Sequence, residues 1–395
     1  MLNVRTDFPF LERKLQGKPL VYLDSAATTQ KPRCTIERIV ELYSSGIANV
    51  HRAVNTLADE VTQAFEAARD TVARFIGGHA HEIIFVLNST YGINLVAGSF
   101  QGKGTPRILT NTQEHHSNIL PWTSTGNAEF IPWSNEGALD MNALDRALAS
   151  KPDLLALSCA SNFLGAIHPV HEIIRRAHDA GVAVLLDASQ SIPHASHNVQ
   201  DLDCDYLVFS GHKLYGPGGI GVLYVRDDLL ESMRPLFLGG SMVKEVHAKS
   251  WVPNDVPYRF EAGTPPIEGA IGLAAAIKYL EALGFDNIAE HESAVVQYAK
   301  RQLSDVRAVK TFGPKPGDPC APLVSFQVKG LESSAVAKTL GNRANVIVRS
   351  GFLCAQPAHD QLGVGPSVRA SFAIYNTCEE VDIMVDVLKT IVKFL

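Results

Sequence analysis

Short, nearly uninterrupted apolar segments constrain the fold of this chain more than any other feature of its sequence. They have the length of β-strands and include residues 182–186, 206–209 and 219–225. Segments with helical periodicity alternate with them, for example at 57–76 and about 170–180. Apolar strands that alternate with helices are typical of a parallel sheet covered on both faces. We therefore predict an α/β fold with a mostly parallel central sheet flanked by helices.

The last third of the chain follows a different order of elements. Helices and strands are predicted there at 267–283, 286–305, 309–313, 323–328, 333–341, 345–350 and 368–372, followed by a C-terminal helix. The stretch 243–258 before it is predicted to be an irregular excursion from the core. We predict a large domain over 20–265 and a smaller α+β domain formed by 1–19 and 266–395.

The charge and the cysteine distribution exclude several classes of function. The formal net charge is -6 and Lys and Arg do not form a basic block, so we predict no nucleic-acid and no membrane partner. The mixed segment 1–13 predicts no signal peptide, and no apolar run approaches the ~18 residues of a membrane span. The six cysteines are scattered without a C-x-x-C pair, which favours a reducing compartment, the cytoplasm, over a disulfide framework or a zinc site.

One lysine occupies an unusual position between two of the predicted strands. Lys213 lies in the turn 210–217, which contains Ser210 and His212. A buried ammonium is costly, whereas a lysine kept partly neutral can form a Schiff base with a carbonyl compound. A surface-loop lysine is the alternative interpretation. Ser210 and His212 favour the first, because both could bind a phosphate or a cofactor ring.

Several other polar residues follow predicted strands, where open α/β sheets bind their ligands. They are Thr90, His115, Asn162, Asp187 and Gln190. Thr90 lies where a strand gives way to a helix, a geometry that suits phosphate as well as a plain N-cap. The adjacent His115 and His116 would diverge on a helix, so we predict no metal site; an acid–base or stacking role and a solvated loop remain open.

Asp187 and Lys213 together match the needs of a pyridoxal phosphate site. The carboxylate would pair with the pyridinium nitrogen, and the lysine would form an imine with the cofactor aldehyde and then act as a general base. The phosphate could be bound by Ser89, Thr90, Ser210 and His212. The phenolate oxygen could be bound by Gln190 and Asn162, and His115 could stack on the ring face.

Longer motifs resemble a known family, the group II cysteine desulfurases, which are class V, fold-type I pyridoxal phosphate enzymes. The resemblance extends from about residue 7 to the last helix. It is carried by DSAA at 24–27, EHHSN at 114–118, LDASQ at 186–190, SGHKLYGP at 210–217, RFEAGTP at 259–265 and RASFAIYNT at 369–377.

The resemblance implies a role for each matching residue. Lys213 is implied as the Schiff-base lysine, Asp187 as the partner of the ring nitrogen, and His115 as the stacking and proton-shuttling residue. The phosphate would be held by Thr90, Ser210 and His212, with Thr264 supplied by the second subunit of a homodimer. Arg369 would clamp the substrate carboxylate, for which the planar guanidinium is suited. The substrate pocket would be completed by Arg349, Asn162, His51 and Ala26.

Cys354 lies in a loop that matches the one carrying the nucleophilic cysteine of desulfurases. Its thiolate would attack the sulfur of L-cysteine, giving alanine and an enzyme persulfide that passes to a sulfur-acceptor protein. Phe352 and Leu353 stand where group II members commonly carry two histidines. Activation of Cys354 is therefore predicted to depend on the cofactor and on a partner more than on local histidines.

Two alternatives to a desulfurase remain open at this stage. The first is another class V enzyme on the same fold: a selenocysteine lyase, a cysteine or cystine C–S lyase, a transaminase or an epimerase. The second is a non-catalytic binding or scaffold protein, against which the intact set of Asp187, Lys213 and Arg369 speaks.

Overall fold

The structure is a computed structural model that describes residues 2–46, 48–50, 55–100 and 104–393. The strands of this part of the chain are β1 Lys14–Leu15, β2 Lys18–Pro19, β3 Val21–Tyr22, β4 Ile83–Val86, β5 Arg107–Asn111, β6 Asn127–Ile131, β7 Leu154–Ser158, β8 Ala183–Asp187, β9 Tyr206–Ser210, β10 Gly221–Val225, β11 Val243–His247, β12 Ser250–Pro253, β13 Val309–Phe312, β14 Leu323–Val328, β15 Val346–Ile347, β16 Arg349–Gly351 and β17 Ser367–Ser371.

The helices surround and connect these strands. They are α1 Arg33–Ser45, α2 Thr56–Ile76, α3 Ser89–Ser99, α4 Leu120–Thr125, α5 Met141–Leu148, α6 Val170–Asp179, α7 Val199–Leu202, α8 Asp227–Leu230, α9 Ile267–Leu283, α10 Phe285–Ser304, α11 Ser333–Ala344, α12 Gln356–Gln361 and α13 Cys378–Val392. The predicted helices at 57–76 and 170–180 correspond to α2 and α6. The first of these begins at an Asn55 cap, whose side chain accepts the Ala58 N–H, and ends at left-handed Gly77.

The central sheet has the strand order β4-β10-β9-β8-β7-β5-β6. Strands β6, β5, β7, β8 and β9 run parallel, and β10 is antiparallel to both β9 and β4. Successive residues of one strand enter different apolar clusters: Leu186 packs on one face of the sheet and Leu185 on the other. Helices cover both faces, so the predicted α/β fold with a mostly parallel sheet is confirmed.

A second, antiparallel sheet with the order β13-β14-β17-β16 forms a smaller layer. Strand β3, near the N-terminus, pairs in parallel with β15, and a bridge joins Asp24 to Ser371 at the end of β17. The same segment reaches the central sheet where the N–H of Thr29 donates to the carbonyl of His212, just after β9, at 3.1 Å. This arrangement brings the loop after β16 and the strand β17 to the carboxyl edge of the central sheet.

The apolar clusters show where each helix is buried. Helix α9 contributes Leu273 and Ile277 to the cluster that covers the central sheet, whereas Val295 of α10 belongs to the cluster of the small sheet. Helix α9 thus packs with the central sheet, although the predicted boundary at 265 assigns it to the small domain. The division of the chain into domains stays a prediction.

The stretch 243–258 differs from its prediction as an irregular excursion. Strands β11 and β12 form an antiparallel hairpin there, in which Val246 pairs with Trp251 and His247 pairs with Ser250. Both strands are exposed to solvent, and Trp251 keeps 44% of its surface exposed. A hairpin without a buried face lacks the alternating apolar pattern by which strands are identified, which explains the error.

Among the described helices, none combines the length and the apolar character required to cross a membrane.

A buried ion pair fixes the motif at 259–265 against the central sheet. The guanidinium of Arg69, which is 1% exposed, donates to both carboxylate oxygens of Glu261 at 2.6 and 2.9 Å. It also donates to the carbonyl of Ile83, and Glu261 accepts the N–H of Phe85 at 2.7 Å. The pair therefore joins α2, the edge strand β4 and the motif.

Replacing Glu261 by Ala is expected to lower the free energy of unfolding by about 3 kcal/mol, because it leaves a buried guanidinium without its main counter-charge. Denaturant unfolding of the purified protein measures the change. Glu60→Ala, an exposed carboxylate on the same helix as Arg69, is the matched control. Equal stability of the two variants would contradict the role given to the ion pair.

Candidate active site

A cavity of about 380 Å³ lies where the carboxyl ends of β8 and β9 meet the loop after β16. Its walls come from both sheets and from the segment after β3. The predicted residues that line it are Ala26, Ser89, Thr90, His115, Asn162, Asp187, Gln190, Ser210, His212, Lys213, Arg349, Cys354 and Arg369.

The turn after β9 aims Lys213 into this cavity. Strand β9 ends at Ser210, and a 3-10 turn covers Gly211–Lys213. A Cβ atom at Gly211 would lie 2.7 Å from Cγ2 of Ile220, so a residue with a side chain does not fit there. Burial lowers the pKa of Lys213 to about 8, against the opposing attraction of Asp187. Roughly a tenth of the amine is therefore neutral at pH 7, a far larger share than in an ordinary exposed lysine.

Asp187 is the last residue of β8 and is 6% exposed. Its Oδ1 accepts the N–H of Ser189 at 2.9 Å, which fixes the carboxylate at the end of the strand. Asp187 ends β8, and Lys213 ends the turn that follows the neighbouring strand β9. Both residues therefore lie at the same edge of the sheet, as the sequence predicts.

Hydroxyl groups and the start of α3 form one end of the cavity. The Ser210 hydroxyl donates to the Ser89 hydroxyl at 3.0 Å and accepts the Ser89 N–H at 2.9 Å. Thr90 lies in the first turn of α3, behind an Asn88 cap. Burial lowers the pKa of His212 to about 4, so this ring is neutral at pH 7. This end of the cavity offers neutral donors and a helix N-terminus, which suits a phosphate group.

His115 is held in place by the turn that follows it. Its Nδ1 accepts the N–H of Ser117 at 3.1 Å, and the Ser117 hydroxyl lies 2.7 Å from that of Thr90. Burial, reinforced by the positive charge of Lys213, lowers the pKa of His115 to about 3. The ring is therefore neutral, and because Nδ1 accepts the Ser117 N–H, its one ring proton lies on Nε2.

Two amide side chains of the cavity already bond to the protein. Gln190 donates to the carbonyl of Ala26 at 2.8 Å, and Asn162 donates to the carbonyl of Leu353 at 2.7 Å. Because a primary amide has two N–H groups, each retains a second donor for a ligand.

Arginines from the small sheet form the opposite end. Arg369 is 4% exposed, and its guanidinium donates to the carbonyl of Asn162 at 2.7 Å and lies 3.8 Å from Asp24. Burial lowers the pKa of Arg369 to about 10, while Asp24 opposes the shift. Arg349 pairs with Asp24 at 2.8 Å and keeps half of its side chain exposed. This concentration of positive charge suits a carboxylate ligand.

Cys354 is exposed at the mouth of the cavity, in a loop with a costly backbone conformation. Leu353 has φ 55° and Cys354 has φ 54°, both in the left-handed region. Such residues cost about 1–3 kcal/mol each and require support from their surroundings. The support is apolar: Leu353 is 9% exposed in a cluster with Phe163, and Phe352 packs edge-on against His359.

One predicted residue lies elsewhere, and another falls outside the described residues. Thr264 is exposed and lines a different cavity, beside Phe85 and Phe260, so one chain alone does not bring it to the site. Its assignment to the second subunit of a dimer stays a prediction. His51 lies outside the described residues.

Sequence reasoning gave no role to three groups that support the cavity. Glu114 is fully buried and accepts hydrogen bonds from Asn111, Asn118 and Ser158, and burial raises its pKa to about 7. Lys31 donates to the carbonyl of His212 at 2.8 Å, and Asp24 holds both arginines. Their positions in the sequence could have pointed to them, because Glu114 and Asp24 lie inside the family motifs and Lys31 lies four residues after one of them.

The cavity has the features that pyridoxal phosphate requires. A carboxylate and a lysine with a lowered pKa line the cavity together, and a helix start with adjacent hydroxyls lines one end. The volume falls within the range of small-molecule sites. The residues present therefore fit the predicted cofactor.

In the cofactor-free protein, the reactivity of Lys213 toward an acylating reagent is expected to rise with a midpoint near pH 8. The lowered pKa leaves the reactive, neutral amine abundant above that pH. Pulsed labelling across pH, with mass spectrometry of the peptide that contains Lys213, measures the midpoint. A free lysine model compound in the same reaction has its midpoint at about pH 10.4. Coinciding midpoints would contradict the burial argument.

Comparison with known proteins agrees with the fold and the cavity. The family model described as aminotransferase class-V matches residues 21–384. A cysteine desulfurase of Enterobacter sp. (strain 638) is 44% identical, over 98% of this chain and 97% of the relative. One of Serratia proteamaculans (strain 568) is 42% identical, over 100% of this chain and 98% of the relative.

Solved structures extend the comparison to three dimensions. The apo structure of a cysteine desulfurase from Thermococcus onnurineus NA1 superposes with a TM-score of 0.94 at 38% sequence identity. The match covers 99% of this chain and 98% of that one. The chain therefore belongs to the aminotransferase class-V family, and relatives of matching length within it carry the name cysteine desulfurase.

Proposed function

We propose that this protein is a pyridoxal phosphate-dependent cysteine desulfurase, which converts L-cysteine to L-alanine and leaves a persulfide on Cys354. The observation that carries the proposal is one cavity lined by Lys213, Asp187, Arg369 and an exposed thiol. The names of the full-length relatives support the same reaction.

The proposed cofactor would be held at both ends of the cavity. Ser89, Thr90, Ser210 and His212 would bind its phosphate, Asp187 its ring nitrogen, and Gln190 and Asn162 its phenolate oxygen. Pyridoxal phosphate, when bound, withdraws electrons from the substrate carbon next to the amine. His115 would cover the ring face.

The residues of the chain supply substrate binding and proton transfer. Arg369, with Arg349 beside it, binds the cysteine carboxylate through charge-assisted hydrogen bonds. Lys213, whose amine is partly neutral, takes the α-proton of the substrate at Nζ. Neutral His115, with its ring proton on Nε2, would donate a hydrogen bond to the substrate and shuttle protons during the reaction.

Cys354 then acts as the nucleophile. Its thiolate sulfur attacks the substrate sulfur, so that an S–S bond forms while the bond from Cβ to sulfur breaks. The electron pair of the broken bond stays on the carbon side, which gains protons and leaves as alanine. One cysteine and one enzyme thiol thus yield one alanine and one enzyme persulfide, without an external oxidant.

The persulfide is a carrier and not an end product. Because Cys354 is exposed, an acceptor protein can reach the outer sulfur atom. We infer a sulfur-transfer or scaffold protein as partner, in iron–sulfur cluster assembly or another sulfur-using biosynthesis. We also infer a cytoplasmic homodimer, in which Thr264 completes the phosphate site of the second subunit.

Product analysis tests the proposed function. The holoenzyme is incubated with L-cysteine, and the alanine released and the mass of the peptide containing Cys354 are measured. We expect alanine together with a gain of one sulfur atom on that peptide. Pyruvate, ammonia and free sulfide would instead indicate a C–S lyase, and amino transfer a transaminase. Preferred turnover of selenocysteine would indicate a selenocysteine lyase.

A further inference from the structure

The turn that carries His115 also contacts the loop of Cys354. His116 begins the 3-10 turn His116–Asn118, and its backbone N–H donates to the carbonyl of Cys354 at 2.9 Å. The Nε2 atom of the same residue accepts the backbone N–H of Gln356 at 3.2 Å. His116 thus bonds to the loop at Cys354 itself and two residues beyond it.

The loop depends on such contacts for its conformation. Leu353 and Cys354 are consecutive left-handed residues, a conformation that residues with a side chain rarely adopt. Asn162 donates to the carbonyl of Leu353 at 2.7 Å, and the Leu353 side chain packs beside Trp133 and Phe163. Contacts from across the cavity therefore hold a backbone that would otherwise relax.

His116 lies next to the cavity and not in its wall. Among the described residues, the cavity is lined by His115 and Ser117 from this turn, while His116 lines a neighbouring one with Thr90 and Leu120. The rings of His115 and His116 are 6.3 Å apart. Successive side chains of one turn thus face the cofactor cavity and the nucleophile loop separately.

We propose that His116 is a positioning residue, which holds the loop so that the Cys354 thiol meets the sulfur of the bound substrate. The inference rests on the proposed function, in which Cys354 receives that sulfur. The Gln356 N–H is a donor, so Nε2 must accept it with its lone pair. A side chain of similar reach with an acceptor oxygen can replace it, whereas one without an acceptor cannot.

The test compares His116→Phe with His116→Gln in the holoenzyme. Phe keeps a ring but removes the acceptor, whereas Gln retains an acceptor at similar reach. For His116→Phe we expect persulfide formation on Cys354, followed by rapid quench and mass spectrometry, to be about 10- to 100-fold slower. KM for cysteine and the cofactor absorption spectrum should stay as in the unchanged protein, and His116→Gln should restore most of the rate.

His171→Phe, at an exposed histidine on α6, is the matched control. His116→Ala takes the place of His116→Phe if that variant does not fold. The proposal is overturned if the variant without an acceptor forms persulfide at the normal rate, if it loses the cofactor spectrum, or if His116→Gln is equally slow. An unchanged protein that forms no persulfide on Cys354 would instead refute the proposed function itself.

Discussion

Replacing Lys213 by Ala is expected to lower the rate of alanine formation by about 10³-fold or more, with pyridoxal phosphate supplied in excess. Positioned general bases contribute about 10²–10⁴-fold. Lys213 is the lysine that lines the cavity together with Asp187, and its lowered pKa leaves the amine partly neutral. Alanine released per enzyme under saturating cysteine measures the effect.

Two further variants separate chemistry from folding. Lys278→Ala, at an exposed lysine on α9, should retain full activity. Lys213→Arg keeps the positive charge but cannot become neutral, so it should be as inactive as Lys213→Ala. If Lys213→Arg kept a tenth or more of the activity, the role of a neutral amine at this position would be wrong.

The sequence predicted the central sheet because burial on both faces leaves a direct trace. Residues 182–186 are apolar without interruption, and in the structure Leu185 and Leu186 enter opposite apolar clusters. Ligand residues at the strand ends were predictable for the same reason, since the end of each apolar run marks where the chain reaches the carboxyl edge. Asp187 and Lys213 lie there.

Contacts between distant segments left no comparable trace. Arg349 and Asp24 are separated by most of the chain, yet they pair at 2.8 Å because β3 pairs with β15, which directly precedes Arg349. The bond from Lys31 to the carbonyl of His212 depends on the same placement of the N-terminal segment. Spacing along the chain cannot indicate such pairs without an alignment or a structure.

The structure shows what Phe352 and Leu353 do in place of the two usual histidines before Cys354. The absence of the two usual histidines suggested weaker local activation of the thiol. In the structure Leu353 fills an apolar cluster and Phe352 packs against His359, so both residues anchor the loop. Their packing directions could not be read from the sequence, since they depend on the left-handed backbone at Leu353 and Cys354.

Replacing Cys354 by Ala is expected to abolish persulfide formation and to lower alanine release by about 10³-fold or more. A thiol positioned in the site acts at an effective concentration of ~10⁵ M or higher, which millimolar thiol in solution cannot match. Mass spectrometry after incubation with cysteine reports the persulfide, and the same samples give the alanine released. Because Cys354 is exposed, its removal leaves the cores intact and cofactor absorption should not change.

Cys34→Ala is the matched control, since Cys34 is also an exposed, free thiol but lies on α1, apart from the lining of the cavity. It should form persulfide and alanine at the normal rate.

The Cys354→Ala variant also distinguishes the proposed reaction from that of a C–S lyase. Elimination by a C–S lyase needs Lys213 but no enzyme thiol, because sulfide leaves without being attacked. If Cys354→Ala still released sulfide and pyruvate, the protein would be a C–S lyase on the same fold and not a desulfurase. Loss of both alanine and persulfide would identify Cys354 as the nucleophile.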